Sequence, residues 1–158
     1  MGHEDELRGV LAKLLDWEDA HAGFDSAIEG LPPEGRGIQP DGLPYSPWQL
    51  LEHMRICQRD ILDFCLDSNY REMKFEEYWP DTVAPPTADA WDNSIKSFRA
   101  DLERLKQLAM DNGIDLFARI PHGTGQTYLR ELLLVSDHNA YHLGQLVAVR
   151  RRLGHWKR

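Results

Sequence analysis

The stretch that decides the fold is "DHNAYHLGQL", residues 137–146, running from Asp137 to Leu146. It lies between "RELLLVS" (130–136) and "VAVRRRL" (147–153), so two imidazoles interrupt a long amphipathic helix. Four residues on a helix amount to about 40° of rotation and ~6 Å of rise, which places His138 and His142 one turn apart on one side. Leu134, Gln145 and Val149 share that side, so the pair faces the core or its edge. Imidazole nitrogens at this spacing can converge on one divalent ion at ~2.0–2.1 Å. HxxxH also occurs on solvated helix faces, so the pair by itself admits both readings.

Working outward, helical periodicity dominates and no strand-type alternation appears. Thr127 is positioned to cap this last helix, expected from about Tyr128 to Leu153. Upstream, Thr87 is the expected cap of a helix whose apolar residues fall at Trp91, Ile95, Phe98, Leu102, Leu105 and Ala109. That spacing of four and three is the seam of antiparallel bundle packing. Before it, "SPWQLLEH" opens a helix with Ser46 as N-cap and Pro47 at the first helical position, expected to continue to about Ser68. A first helix is expected from Glu4 to Glu29, with Leu7, Val10, Leu11, Leu14, Trp17, His21, Phe24 and Ile28 on one stripe. "GLPPEGRGIQPDGLPY", with four prolines and four glycines, separates it from the second. The expectation is all-α: a four-helix bundle forming a single domain over residues 1–158, with connections long enough for a crossover topology. The connection "NYREMKFEEYWPDTVAPP" (69–86) is long and aromatic, and Tyr78, Trp79 and Pro80 read either as a lid or as a plug at the bundle end.

The 158 residues suffice for a proper core. With 26 acidic against 18 basic side chains, the net charge of −8 repels phosphate backbones and argues against nucleic-acid binding. The basic group Arg150, Arg151, Arg152, Lys157 and Arg158 reads as cations favouring a helix carboxyl end, with Gly154 as the stop. No apolar run approaches the ~18–20 residues of a membrane span. "MGHEDELRGV" lacks the apolar segment of a secretion signal. Cys57 and Cys65 fall on one helix ~12 Å apart, beyond disulfide reach, and free thiols fit a cytoplasmic location.

His53 lies on an apolar stripe, three residues after Leu50 and four before Cys57. A histidine there is either a hydrogen-bonded core residue or a ligand. Three inward histidines, His53, His138 and His142, on two helices able to face one another favour a divalent metal with an open coordination position. His21, between Trp17 and Phe24, is the candidate catalytic acid or base, with ligation or a plain core role as its alternatives. Asp137, Tyr141 and Gln145 are placed to orient an imidazole, and Cys57 reads as a small core hydrophobe. His122 could line the mouth of the cavity or sit in a surface turn.

"SPWQLLEHMRICQRDIL" and "HNAYHLGQLVAVRR" together resemble the DinB-like (DinB/YfiT-like) family over nearly the whole chain. The second segment carries the more specific signal, HxxxH followed by Gly-Gln and a basic run. The resemblance implies a four-helix bundle, commonly dimeric, whose divalent ion (nickel, zinc or iron) is held by His53, His138 and His142. It also implies chemistry with a small-molecule substrate, as a thiol-dependent S-transferase using a low-molecular-weight thiol or as a hydrolase. No glutamate follows His138 at HExxH spacing, which speaks against a zincin-type peptidase. Two other functions compete: a non-catalytic metal- or ligand-binding module, and a purely structural bundle that dimerises. A homodimer is expected in any case from spare aromatic surface.

Overall fold

The structure is a computed structural model that describes residues 2–156, so Lys157 and Arg158 of the basic group lie outside it. Five α-helices and no strand occur among the described residues: α1 His3–Leu14, α2 Phe24–Ile28, α3 Pro47–Leu66, α4 Ala90–Met110 and α5 Tyr128–Arg152. The protein is all-α, as its periodicity indicates.

Local chemistry sets the helix ends. At α3, Ser46 Oγ accepts from the Gln49 amide while Gln49 Oε1 accepts from the Ser46 amide, and Pro47 fills the first turn. Thr127 Oγ1 accepts from the Arg130 amide to open α5, and Gly154, at φ +75°, ends it in the left-handed region. At α4 the expected Thr87 cap is displaced. The helix begins at Ala90, and Thr87 donates instead to the Asp89 carboxylate.

The single long first helix is corrected to two. Helix α1 stops at Leu14, the chain turns through 15–23, and α2 is a separate short helix. Asp16, Glu18 and Asp19 explain the break: three carboxylates at a helix carboxyl end oppose the macrodipole. Off the helix two of them pair with lysines, Asp19 with Lys13 and Asp16 with Lys106 of α4. Phe24 still reaches the core, stacking on Phe98 of α4 with ring centroids 3.9 Å apart.

Helix α3 packs along both α4 and α5, and α1 lies along α4. Leu50, Leu51, Met54, Leu62, Phe98, Leu105, Leu132 and Leu146 fill the centre. Two guanidiniums are buried with them. Arg8 donates to the carbonyls of Ala109, Asp111 and Ile114, closing the end of α4. Arg150 donates to the carbonyls of Ala27 and Glu29, closing the end of α2. Cys57 and Cys65 are buried free thiols. No described helix is long and apolar enough to cross a membrane.

The connection between α3 and α4 lies across α3. It contains a 3₁₀ turn, Phe75–Tyr78, and is tied down further along where Trp48 Nε1 donates to Thr82 Oγ1 and Ser46 Oγ donates to Val83 O.

Candidate metal centre

Helices α3 and α5 bring His53, His138 and His142 together. His53 Nε2 is 3.1 Å from His142 Nε2 and 3.1 Å from His138 Nε2. The ring centroids of His138 and His142 are 4.5 Å apart. His53 and His142 are buried, and His138 is partly so.

The outer nitrogens determine what the inner ones carry. His53 Nδ1 lies 2.7 Å from the Tyr78 carbonyl, which can only accept, so Nδ1 holds the proton. Gln145 is oriented with Oε1 2.7 Å from His142 Nδ1, and in that orientation of the amide Nδ1 carries the proton here too. Both neutral rings therefore present a bare Nε2 lone pair, and these two lone pairs face each other at 3.1 Å. Adding protons is not a ready remedy. Burial lowers the pKa of all three rings, His138 to about 4, and the positive charge of one imidazolium would further disfavour its neighbours.

A divalent cation resolves this arrangement. Two nitrogens each ~2.1 Å from one ion and roughly 90–110° apart lie about 3.0–3.4 Å from each other. The observed 3.1 Å contacts fall in that range, and the fixed Nδ1 protons supply the outer hydrogen bonds that ligating histidines normally make.

Among the described residues, the group whose ligand atoms all lie within 4.8 Å of one another is His53, Cys57 and His138, with His142 outside it and in contact through His53. The sulfur approaches His53 differently from the two imidazoles. Cys57 Sγ is 3.5 Å from His53 Nδ1 and 3.8 Å from Nε2, nearer the nitrogen that meets Tyr78, so it does not lie on the Nε2 lone-pair axis. Trp79 covers one face of the ring, stacked at 3.8 Å with 3° between planes, and Tyr45 stacks on Trp79. Burial pushes the Cys57 thiol up to about 12, so it is protonated at neutral pH.

Sequence reasoning placed Trp79 in a lid or plug, and it is the wall of the histidine cluster. Gln145 occupies its expected orienting role, whereas Asp137 is exposed and bonds none of the three rings. Tyr141 is exposed and meets His142 edge-on. His122 lies on the surface with Nε2 2.8 Å from the Phe64 carbonyl. The Tyr78 carbonyl was not foreseen, because a backbone acceptor leaves no mark in side-chain spacing.

His21 does not join the cluster. It lies in the 15–23 turn, exposed, with Nδ1 3.0 Å from the Ala22 carbonyl. There it borders a cavity of about 570 Å³ lined by Trp17, Phe24, Phe98, Asp137, Ala140 and Leu143, among others, and by none of the three clustered histidines. Ala140 and Leu143 project roughly 140–200° around α5 from His138, so the helix stands between the two places.

A polar recess of about 420 Å³ is lined by Asp60, Ile61, Tyr70, Tyr78, Arg130 and Glu131, among others, and by none of the three clustered histidines. Tyr78 links it to the cluster, through the carbonyl that meets His53 Nδ1.

The sequence profile described as the DinB superfamily matches residues 16–146, most of the chain and all three clustered histidines. No curated protein and no solved structure matches the chain.

Proposed function

The chain belongs to the DinB superfamily, and from that premise we propose that it is a divalent-metal-dependent enzyme acting on a small molecule, as a thiol-dependent S-transferase or a hydrolase. The observation that carries the reading is the pair of bare lone pairs on His53 and His142 directed at each other at 3.1 Å. His53, His138 and His142 would hold the ion through Nε2. When bound, the ion supplies a Lewis acid able to polarise a substrate or acidify a thiol or water.

The protein's own groups prepare the place. The Tyr78 carbonyl and Gln145 keep protons on Nδ1 and off Nε2. Trp79 stacks on the His53 ring and Cys57 Sγ lies within 3.8 Å of both its nitrogens, which restricts water around it. The recess offers room for the remainder of a substrate. Its walls carry Asp60, Glu72 and Glu131 against a single guanidinium, Arg130, which already pairs with Glu131 at 2.6 Å. That balance suits a low-molecular-weight thiol bearing an amino group better than one bearing a carboxylate.

The test is turnover of a panel of small thiols with an aryl halide, and of simple esters, by protein loaded with zinc, nickel or iron. Activity should disappear with chelator, return with the ion and be absent in His142→Ala. Turnover that survives chelation would contradict the reading. None of the three histidines lines the recess beside Tyr78 or the cavity beside His21, which favours a second reading as a non-catalytic metal- or ligand-binding module. Stoichiometric ion with no turnover across the panel would select it.

A further inference from the structure

Tyr78 touches the histidine cluster and α3 at once. Its backbone carbonyl is the 2.7 Å partner of His53 Nδ1, and its hydroxyl donates to Asp60 Oδ2 at 3.0 Å. Tyr70 donates to the other oxygen, Oδ1, at 2.9 Å. Asp60 follows His53 by seven residues, two turns along the same rigid helix. One carboxylate thus gathers two tyrosines from the connecting segment and fastens them to the element that carries His53.

On its far side the carbonyl's peptide is held by Trp79, which stacks on both His53 and Tyr45, but the turn that leads into it is loosely packed. In Phe75–Tyr78 the first three residues are exposed, and Phe75 is 81 % accessible. A backbone carbonyl on a loosely packed turn wanders with the loop. A carbonyl that wanders cannot select one imidazole tautomer. The Asp60 link removes that freedom close to the contact that matters.

We propose that Asp60 is a positioning residue of the metal centre. By accepting both tyrosine hydroxyls it fixes the Tyr78 carbonyl against His53 Nδ1 and so keeps His53 Nε2 a bare donor. The inference rests on the reading of the three histidines as ligands, and it extends the orienting shell to a residue that touches neither ion nor ring. The bonds from Trp48 to Thr82 and from Ser46 to Val83 hold the connection to α3 independently of the Asp60 link.

The experiment compares Asp60→Leu, Asp60→Asn and Tyr78→Phe with the parent chain by two readouts. The first is the nitrogen NMR shifts of the His53 ring in metal-free protein, which report the tautomer. The second is Zn²⁺ affinity by competition with a chromophoric chelator. The parent should show His53 protonated at Nδ1. Asp60→Leu and Tyr78→Phe should show a tautomer mixture and bind Zn²⁺ about 10-fold or more weakly. Asp60→Asn, which keeps one carbonyl acceptor, should fall between. Unchanged tautomer and affinity in the folded variants would overturn the proposal. So would a loss of affinity that only tracks a lower Tm while the tautomer stays put. Should Asp60→Leu fail to fold, Tyr78→Phe keeps the ring and removes only the hydroxyl. If the parent takes up no Zn²⁺, the ligand reading fails by itself, and the tautomer measurement still decides the role of Asp60.

Discussion

Burial disfavours positive charge on each of the three imidazoles, and the protonation equilibria of this cluster follow from that. His138 is held at about 4, and His53 and His142 below their ordinary value, with burial the leading cause in each. The unfolded chain, with histidines near 6.5, therefore binds more protons than the folded chain between about pH 4 and 6.5. The stability of the metal-free protein should be complete above about pH 6.5 and fall on acidification. The slope should reach up to about 1.4 kcal/mol per pH unit for each ring. Urea midpoints at pH 7.5 and 5 measure it, and His138→Gln should flatten the dependence. The sulfur gives a second prediction at this scale. Because Cys57 Sγ lies nearer His53 Nδ1 than Nε2, cobalt-substituted protein should lack a thiolate charge-transfer band, and Cys57→Ser should keep full metal stoichiometry. A band that disappears in Cys57→Ser would replace His142 by sulfur in the ligand set. The three histidines were legible in the sequence because helical spacing fixes which side a residue faces. The Asp60–Tyr78 link was not, because it joins a helix to an irregular segment whose path no periodicity describes.

At the scale of elements, the capped helices α3 and α5 could be read from their first residues, since Ser46-Pro47 and Thr127 act on neighbours within one turn. Helix α1 could not be read to its true end. Its apolar stripe continues through Trp17, Phe24 and Ile28, and those side chains do reach or border the core, but from a turn and a separate short helix. The acidic run Asp16, Glu18, Asp19 was the available signal, and it outweighed hydrophobic spacing. Arg8 is the other surprise, a guanidinium at 1 % exposure on a helix whose Val10 is half exposed. It closes the carboxyl end of α4, so its partners lie about a hundred residues away and nothing local announces them. Arg8→Met should cost about 2–4 kcal/mol in urea unfolding by leaving those carbonyls unpaired. Glu4→Gln, which alters only its exposed partner, should cost under about 0.5 kcal/mol. A loss that small for Arg8→Met would show that the buried guanidinium is dispensable.

For the whole molecule, the all-α class followed from periodicity alone, and the meeting of α3 with α5 is what converts separate helical stripes into one cluster. Assembly is a separate matter. Leu133, Tyr141 and Phe117 stay exposed, and together with the family resemblance they support the proposal of a homodimer. Light scattering at micromolar concentration should give twice the mass of the chain, and a monomer would set that proposal aside. The central claim concerns the cluster, and elemental analysis of untagged protein tests it most directly. The account predicts close to one equivalent of a divalent transition metal per chain, with that ion lost in His53→Ala, His138→Ala and His142→Ala. A folded parent protein carrying no stoichiometric ion, or variants retaining the parent's content, would contradict it.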